Sequence, residues 1–129
     1  MIAIDTSALV AVLQREPEAK TCADLLEADN DLIMSAGTLA EALIVARGKG
    51  IAREMAALVD GLTVAIVPVT AAVASRVADA YERWGKGHHP AKLNFGDCFA
   101  YVAAMDHDCP LLFVGGDFAL TDVEPAIRS

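Results

Sequence analysis

Short continuous apolar runs alternate with longer segments whose apolar positions recur every three or four residues. Ile2–Ile4 reads as a buried strand, with Thr6 or Ser7 capping a helix that runs through Leu13. Pro17 is placed to start a second helix with Cys22, Leu25 and Leu26 on its apolar side. Asp29-Asn30-Asp31 makes a turn and Leu32–Met34 a second strand. Ser35 or Thr38 then caps a helix carrying Leu39, Leu43 and Ala46. Gly48-Lys49-Gly50 breaks it, and a further helix from about Ile51 to Val59 completes an αα-hairpin. A third strand over Leu62–Val67 precedes an alanine-rich helix that Thr70 caps and Trp84 ends. Gly85–Leu93 is a loop of glycine, histidine and proline, after which Asn94 caps a helix from Gly96 to His107. Leu111–Val114 is a fourth strand, Gly115-Gly116 a tight turn, and Val123 the start of a short edge strand.

The strands are continuous apolar runs rather than alternating ones, and helices separate them. That pattern predicts an α/β fold around a mostly parallel sheet of four to five strands, covered on both faces. The 129 residues suit a single domain spanning 1–129, and no repeat or linker interrupts them. An apolar content of 55%, swollen mostly by alanine, allows a sizeable core with closely packed helices. No apolar run approaches the ~20 residues that cross a bilayer, and Met1–Asp5 lacks a basic leader. The expectation is a cytoplasmic protein without a membrane partner. Cys22, Cys98 and Cys109 are odd in number and lack zinc-site spacing, so they read as reduced core thiols.

A net charge of −8 argues against a surface generally suited to nucleic acid. Two stretches reverse that sign. Residues 83–92 hold Arg83, Lys86, His88, His89 and Lys92 with no acid, and residues 43–53 hold Arg47, Lys49 and Arg53 with no acid. Each stretch is either a solvated loop or a local seat for phosphates. Lys86, Lys92 and His89 are the candidates for phosphate contacts, whereas Trp84, ending an apolar helix, belongs with the core.

Four acids stand at the ends of elements: Asp5 after the first strand, Glu41 and Asp97 in the first turns of helices, and Asp117 after the fourth strand. Each has a plain structural reading as a cap, an exposed helix acid or a turn residue. Together they fit one rim, because sites in open parallel sheets form outside the carboxyl ends of the strands. Asp97 reaches that rim if the 85–93 loop returns the chain to it. Hard oxygen donors with no competing His/Cys set select Mg²⁺ or Mn²⁺, and Asp5 and Asp97 are the strongest metal ligands. A metal so held generates a nucleophile from water and stabilises charge in phosphodiester cleavage.

The chain resembles the PIN domain, and within it the VapC-like toxins of type II toxin–antitoxin systems. The resemblance rests on Ile4-Asp5-Thr6-Ser7-Ala8-Leu9, Leu39-Ala40-Glu41-Ala42, Tyr81–Lys86 with His89, Leu93–Tyr101, and Pro110–Phe118 with Thr121-Asp122. It covers essentially the whole chain in order. It implies a three-layer α/β/α domain and a Mg²⁺-dependent endoribonuclease neutralised by a small VapB-like antitoxin. The family's acids fall on Asp5, Glu41, Asp97 and Asp117, and its small hydroxyl on Thr6 or Ser7. Gly116 stands where relatives often carry a polar or acidic residue, leaving Asp122 as a second-rank supporting acid. A homodimer through the hairpin of residues 36–60, or a heterotetramer with antitoxin, is also implied.

Two other readings share the fold: a PIN nuclease of RNA processing or decay, and a non-catalytic binding module. The presence of all four acids opposes the second. A haloacid-dehalogenase phosphatase needs an acid two residues after Asp5, where Ser7 stands.

Overall fold

Side chains along a strand point alternately to opposite faces, and here each face meets its own layer of helices. The computed structural model describes residues 1–28 and 31–127. Its strands are β1 (Ile2–Ile4), β2 (Leu32–Ser35), β3 (Ala65–Val67) and β4 (Leu111–Leu112). All pairings are parallel, in the order β3-β2-β1-β4. Ile2 and Ile4, Leu32 and Met34, and Leu112 pack on one face, against α1 (Thr6–Leu13), α2 (Ala19–Ala28), α3 (Ala36–Gly48) and α4 (Ala52–Leu62). Ala3, Ile33 and Leu111 pack on the other, against α5 (Ala71–Trp84) and α6 (Phe95–Asp106). The result is the three-layer α/β/α arrangement, with a sheet of four parallel strands.

Chain order runs outward from β1 through β2 to β3, then returns to the far side of β1 for β4. The reversal lies between β1 and β4, where a crevice opens at the carboxyl ends of the strands. Asp5 and the segment after β4 flank that crevice. Helices α5 and α6 run antiparallel: Arg76 grips Asp106 through bonds of 2.6–3.0 Å, and Trp84 Nε1 donates to the Tyr101 hydroxyl at 3.0 Å. Backbone bonds from Lys86 to Leu93 and from Leu93 to Trp84 close the 85–93 loop. Asn94 therefore starts α6 beside the end of α5, and the loop returns Asp97 to the crevice.

Several boundaries differ from those expected. Asp5, not Thr6 or Ser7, caps α1. Helix α2 begins at Ala19, two residues after Pro17. Ser35 rather than Thr38 caps α3, which puts Glu41 in its second turn. Helix α4 continues to Leu62 and ends on Thr63 in the left-handed conformation, so β3 is confined to Ala65–Val67. Strand β4 stops at Leu112 because the Val114 amide turns to the Ser7 hydroxyl. The edge strand expected at Val123 is a single bridge between Pro125 and Leu111. A short 3-10 turn, Phe118–Leu120, was not foreseen. The turn expected at Asp29-Asn30-Asp31 lies largely outside the described residues.

Helices α3 and α6 approach closely at Gly37, where a Cβ would collide with the Phe99 ring. Gly37→Ala is expected to lower stability by about 1–3 kcal/mol, the usual range for overpacking. Urea unfolding with an unchanged m value checks this, and Phe99→Leu in the same background should recover part of the loss.

Candidate active site

Capping dictates where Asp5 sits. Its Oδ2 accepts the Ser7 amide at 3.0 Å and the Ser7 hydroxyl at 2.6 Å, which turns the carboxylate inward over the start of α1. The residue is 3% exposed, and its other oxygen, Oδ1, is buried without a hydrogen-bond partner. The Ser7 hydroxyl also accepts the Val114 amide at 3.0 Å, tying the end of β1 to the chain leaving β4.

Glu41 is held from two sides. Thr6 Oγ1 donates to its Oε1 at 2.7 Å, while Oε2 occupies the space that a side chain at position 96 would need. Glycine at 96 leaves room for the Glu41 carboxylate as it stands, since alanine there would push that carboxylate aside. Asp97 completes a capping box at the start of α6: Asn94 Oδ1 accepts its amide at 2.8 Å, and its own Oδ2 accepts the Asn94 amide at 3.0 Å. The capping role and the site role coincide in this residue.

Asp5, Glu41 and Asp97 line one cavity of about 270 Å³, with Thr6, Ser7, Val10, Glu16, Val45, Lys49 and Val114. Asp117 does not line it. It is exposed at the start of the Phe118–Leu120 turn, yet near enough for its charge to act on Asp97. Burial pushes Asp5 up to about 7 against the two Ser7 hydrogen bonds, and the charges of Asp97 and Glu41 push the same way. Burial likewise raises Asp97 to about 6, opposed by the Asn94 amide and reinforced by Glu41 and Asp117. Both carboxyls are held above the ordinary value of 3.8 by lost water and by one another.

A hard divalent cation would relieve that situation. The donors are all oxygen, and Asp5 Oδ1 is a buried acceptor with nothing to accept. Among the described residues, no three Asp, Glu, His or Cys side chains close tightly round one point. This suits Mg²⁺, which keeps several waters and takes one or two carboxylates. Asp5 and Asp97 have carboxyls held above the ordinary value, and a cation there would favour their charged forms.

The remaining candidates lie elsewhere. Asp122 accepts the Tyr101 hydroxyl at 2.6 Å and stands 3.7 Å from Arg83, so it clasps the C-terminal segment to α5 and α6 outside the acid cavity. Lys86, His89 and Lys92 line a separate hollow on the 85–93 loop. The His89 ring packs edge-on against Trp84 at 4.7 Å, and its Nδ1 accepts the Ala91 amide, while Trp84 is core. Cys22, Cys98 and Cys109 are buried free thiols. Sequence reasoning missed Glu16 and the closeness of Gly96 to Glu41, and it named Lys49 only as part of the basic 43–53 stretch, not as a neighbour of the acids. Helical phase could have found Lys49, eight residues after Glu41; nothing local marks Glu16.

Two outcomes follow from this geometry. In the cation-free protein, folded Asp5 keeps its proton where the unfolded chain has released it. Its contribution to stability is therefore full below about pH 4 and declines as pH rises to the folded value near 7. Urea unfolding from pH 4 to 8 should show Asp5→Asn gaining on the wild type as pH rises. Separately, Tyr101→Phe strands Trp84 Nε1 and Asp122 and should cost about 1–3 kcal/mol by thermal unfolding.

Known proteins resemble this chain along most of its length. The PIN domain family model matches residues 2–124. A ribonuclease VapC of Mycolicibacterium smegmatis is 43% identical, with 93% of this chain and 95% of that protein covered. Ribonuclease VapC30 of Mycobacterium tuberculosis is 42% identical over 93% of this chain and 94% of its own length. Among solved structures, Mycobacterium tuberculosis VapC20, described as a sarcin-ricin loop cleaving toxin, superposes with a TM-score of 0.75 at 19% identity, covering 95% of this chain and 96% of that one. A toxin–antitoxin complex from Klebsiella pneumoniae gives 0.70 at 21% identity, covering 95% and 93%. The family model over residues 2–124 and the relatives of 42–43% identity show that the chain belongs to the PIN domain family and, within it, to the VapC ribonuclease toxins.

Proposed function

We propose that this chain is a Mg²⁺-dependent endoribonuclease acting in the cytoplasm as the toxic partner of a type II toxin–antitoxin pair. The observation that carries this reading is the buried, partnerless Oδ1 of Asp5 in a cavity shared with Glu41 and Asp97. Asp5 and Asp97 hold the cation, with Mn²⁺ as an alternative. When bound, it supplies Lewis-acid stabilisation of phosphodiester charge and lowers the pKa of water. Glu41, fixed by Thr6, takes a proton from water as the water oxygen bonds to phosphorus. The bond from phosphorus to the leaving oxygen breaks, and that oxygen takes up a proton from solvent. Ser7 keeps Asp5 aimed inward, and Asp117 adds negative charge outside the cavity.

The same carboxylates explain inhibition. A basic side chain from a VapB-like antitoxin would neutralise them and shut out both cation and RNA. The chain works as one domain, paired with a second copy through the α3–α4 hairpin, whose groove is lined by Leu39, Leu43, Val59 and Ile66.

Purified protein incubated with total RNA tests the reading. Cleavage is expected with Mg²⁺, none with chelator, and Glu41→Gln should slow the reaction roughly a hundredfold or more. Equal cleavage in chelator, or by Asp97→Asn, would sink the metal-site proposal.

A further inference from the structure

One basic side chain, Lys49, lines the acid cavity. It caps the C-terminal end of α3, following Glu41 and Val45 at intervals of four residues, and all three line the cavity. Eight residues of helix span about 12 Å. Helical Cα–Cβ bonds lean towards the N-terminus, so the Lys49 stem leaves its Cα in the direction of Glu41. Lys49 is exposed, and no ion pair engages it among the described residues. A free ammonium at the mouth of a cavity lined by carboxylates is in place for an anion that those carboxylates would otherwise repel.

We propose that Lys49 is a substrate-binding residue, contacting a phosphate of single-stranded RNA next to the one being cleaved. This rests on the ribonuclease reading above. RNA carries one negative charge per nucleotide, and the cavity presents Asp5, Glu41, Asp97 and Glu16 to it. A cation held by Asp5 and Asp97 would offset repulsion at the phosphate being cleaved more than at its neighbour. The neighbouring phosphate needs a positive group of the protein's own, about a nucleotide away. Lys49 provides a flexible point charge there. Lys86 and Lys92 sit in a different hollow, and no residue of that hollow lines the acid cavity. Contacts of this kind set register and affinity without reading sequence.

Lys49→Gln keeps the aliphatic stem and removes the charge, and Lys49→Arg keeps the charge. Binding of a short fluorescent single-stranded RNA is measured in chelator across a salt series, and cleavage of the same RNA in Mg²⁺. Lys49→Gln is expected to raise KM roughly tenfold with kcat and melting temperature unchanged. The slope of log affinity against log salt should become shallower by about 0.7, the loss of one single-strand phosphate contact. Lys49→Arg should restore both. Unchanged affinity and salt slope in Lys49→Gln would overturn the proposal, as would a fall in kcat alone. RNA bound but never cleaved would refute the nuclease reading while leaving the Lys49 slope measurable. No RNA binding by the wild type would refute both.

Discussion

A carboxylate shielded from water at the end of a central strand is costly unless something compensates it. Asp5 is such a group, and much of the crevice is arranged round it. The Ser7 amide and hydroxyl satisfy one of its oxygens, and that same hydroxyl receives the Val114 amide. A single serine thus orients the acid that caps α1 and ties down the chain leaving β4. What remains is one unsatisfied oxygen beside two further acids, an electrostatic debt within the folded protein that a cation can settle.

The second constraint is distance between helices. Glu41 belongs to α3 and Asp97 to α6, and the two meet over Asp5 because α3 and α6 pack with glycine on each side. Gly37 admits the Phe99 ring, and Gly96 admits the Glu41 carboxylate. A Cβ at Gly37 would press α3 from α6, and one at Gly96 would displace the Glu41 carboxylate from its present place. Stability and site geometry are therefore coupled at this contact, and α6 contributes Phe99 to the packing and Asp97 to the site.

Much of this was legible in the chain. Continuous apolar strands gave a parallel sheet, and the caps at Thr70 and Asn94 were read correctly because a short polar side chain preceded a clear helical period. The boundaries that failed were decided by tertiary contacts. Helix α4 consumed Leu62 because Thr63 adopts a left-handed turn, and β4 lost Phe113 and Val114 once Ser7 took the Val114 amide. Asp5 and Asp97 stand at element ends as read, and Glu41 shares their cavity although α3 starts early enough to put it in the second turn. Asp117 and Asp122 were harder, since the segment after β4 has little periodicity. There Asp122 turned to Tyr101, a hydrogen bond across 21 positions that no local pattern announces.

The central claim is that Asp5 is a desolvated acid awaiting a divalent cation. Calorimetric titration of Mn²⁺ near pH 6.5, repeated in buffers of different ionisation enthalpy, measures protons released on binding. The account predicts release of about one proton per cation, because ligating carboxylates must ionise, and its disappearance in Asp5→Asn. Binding without proton release, and with equal affinity in Asp5→Asn, would contradict it.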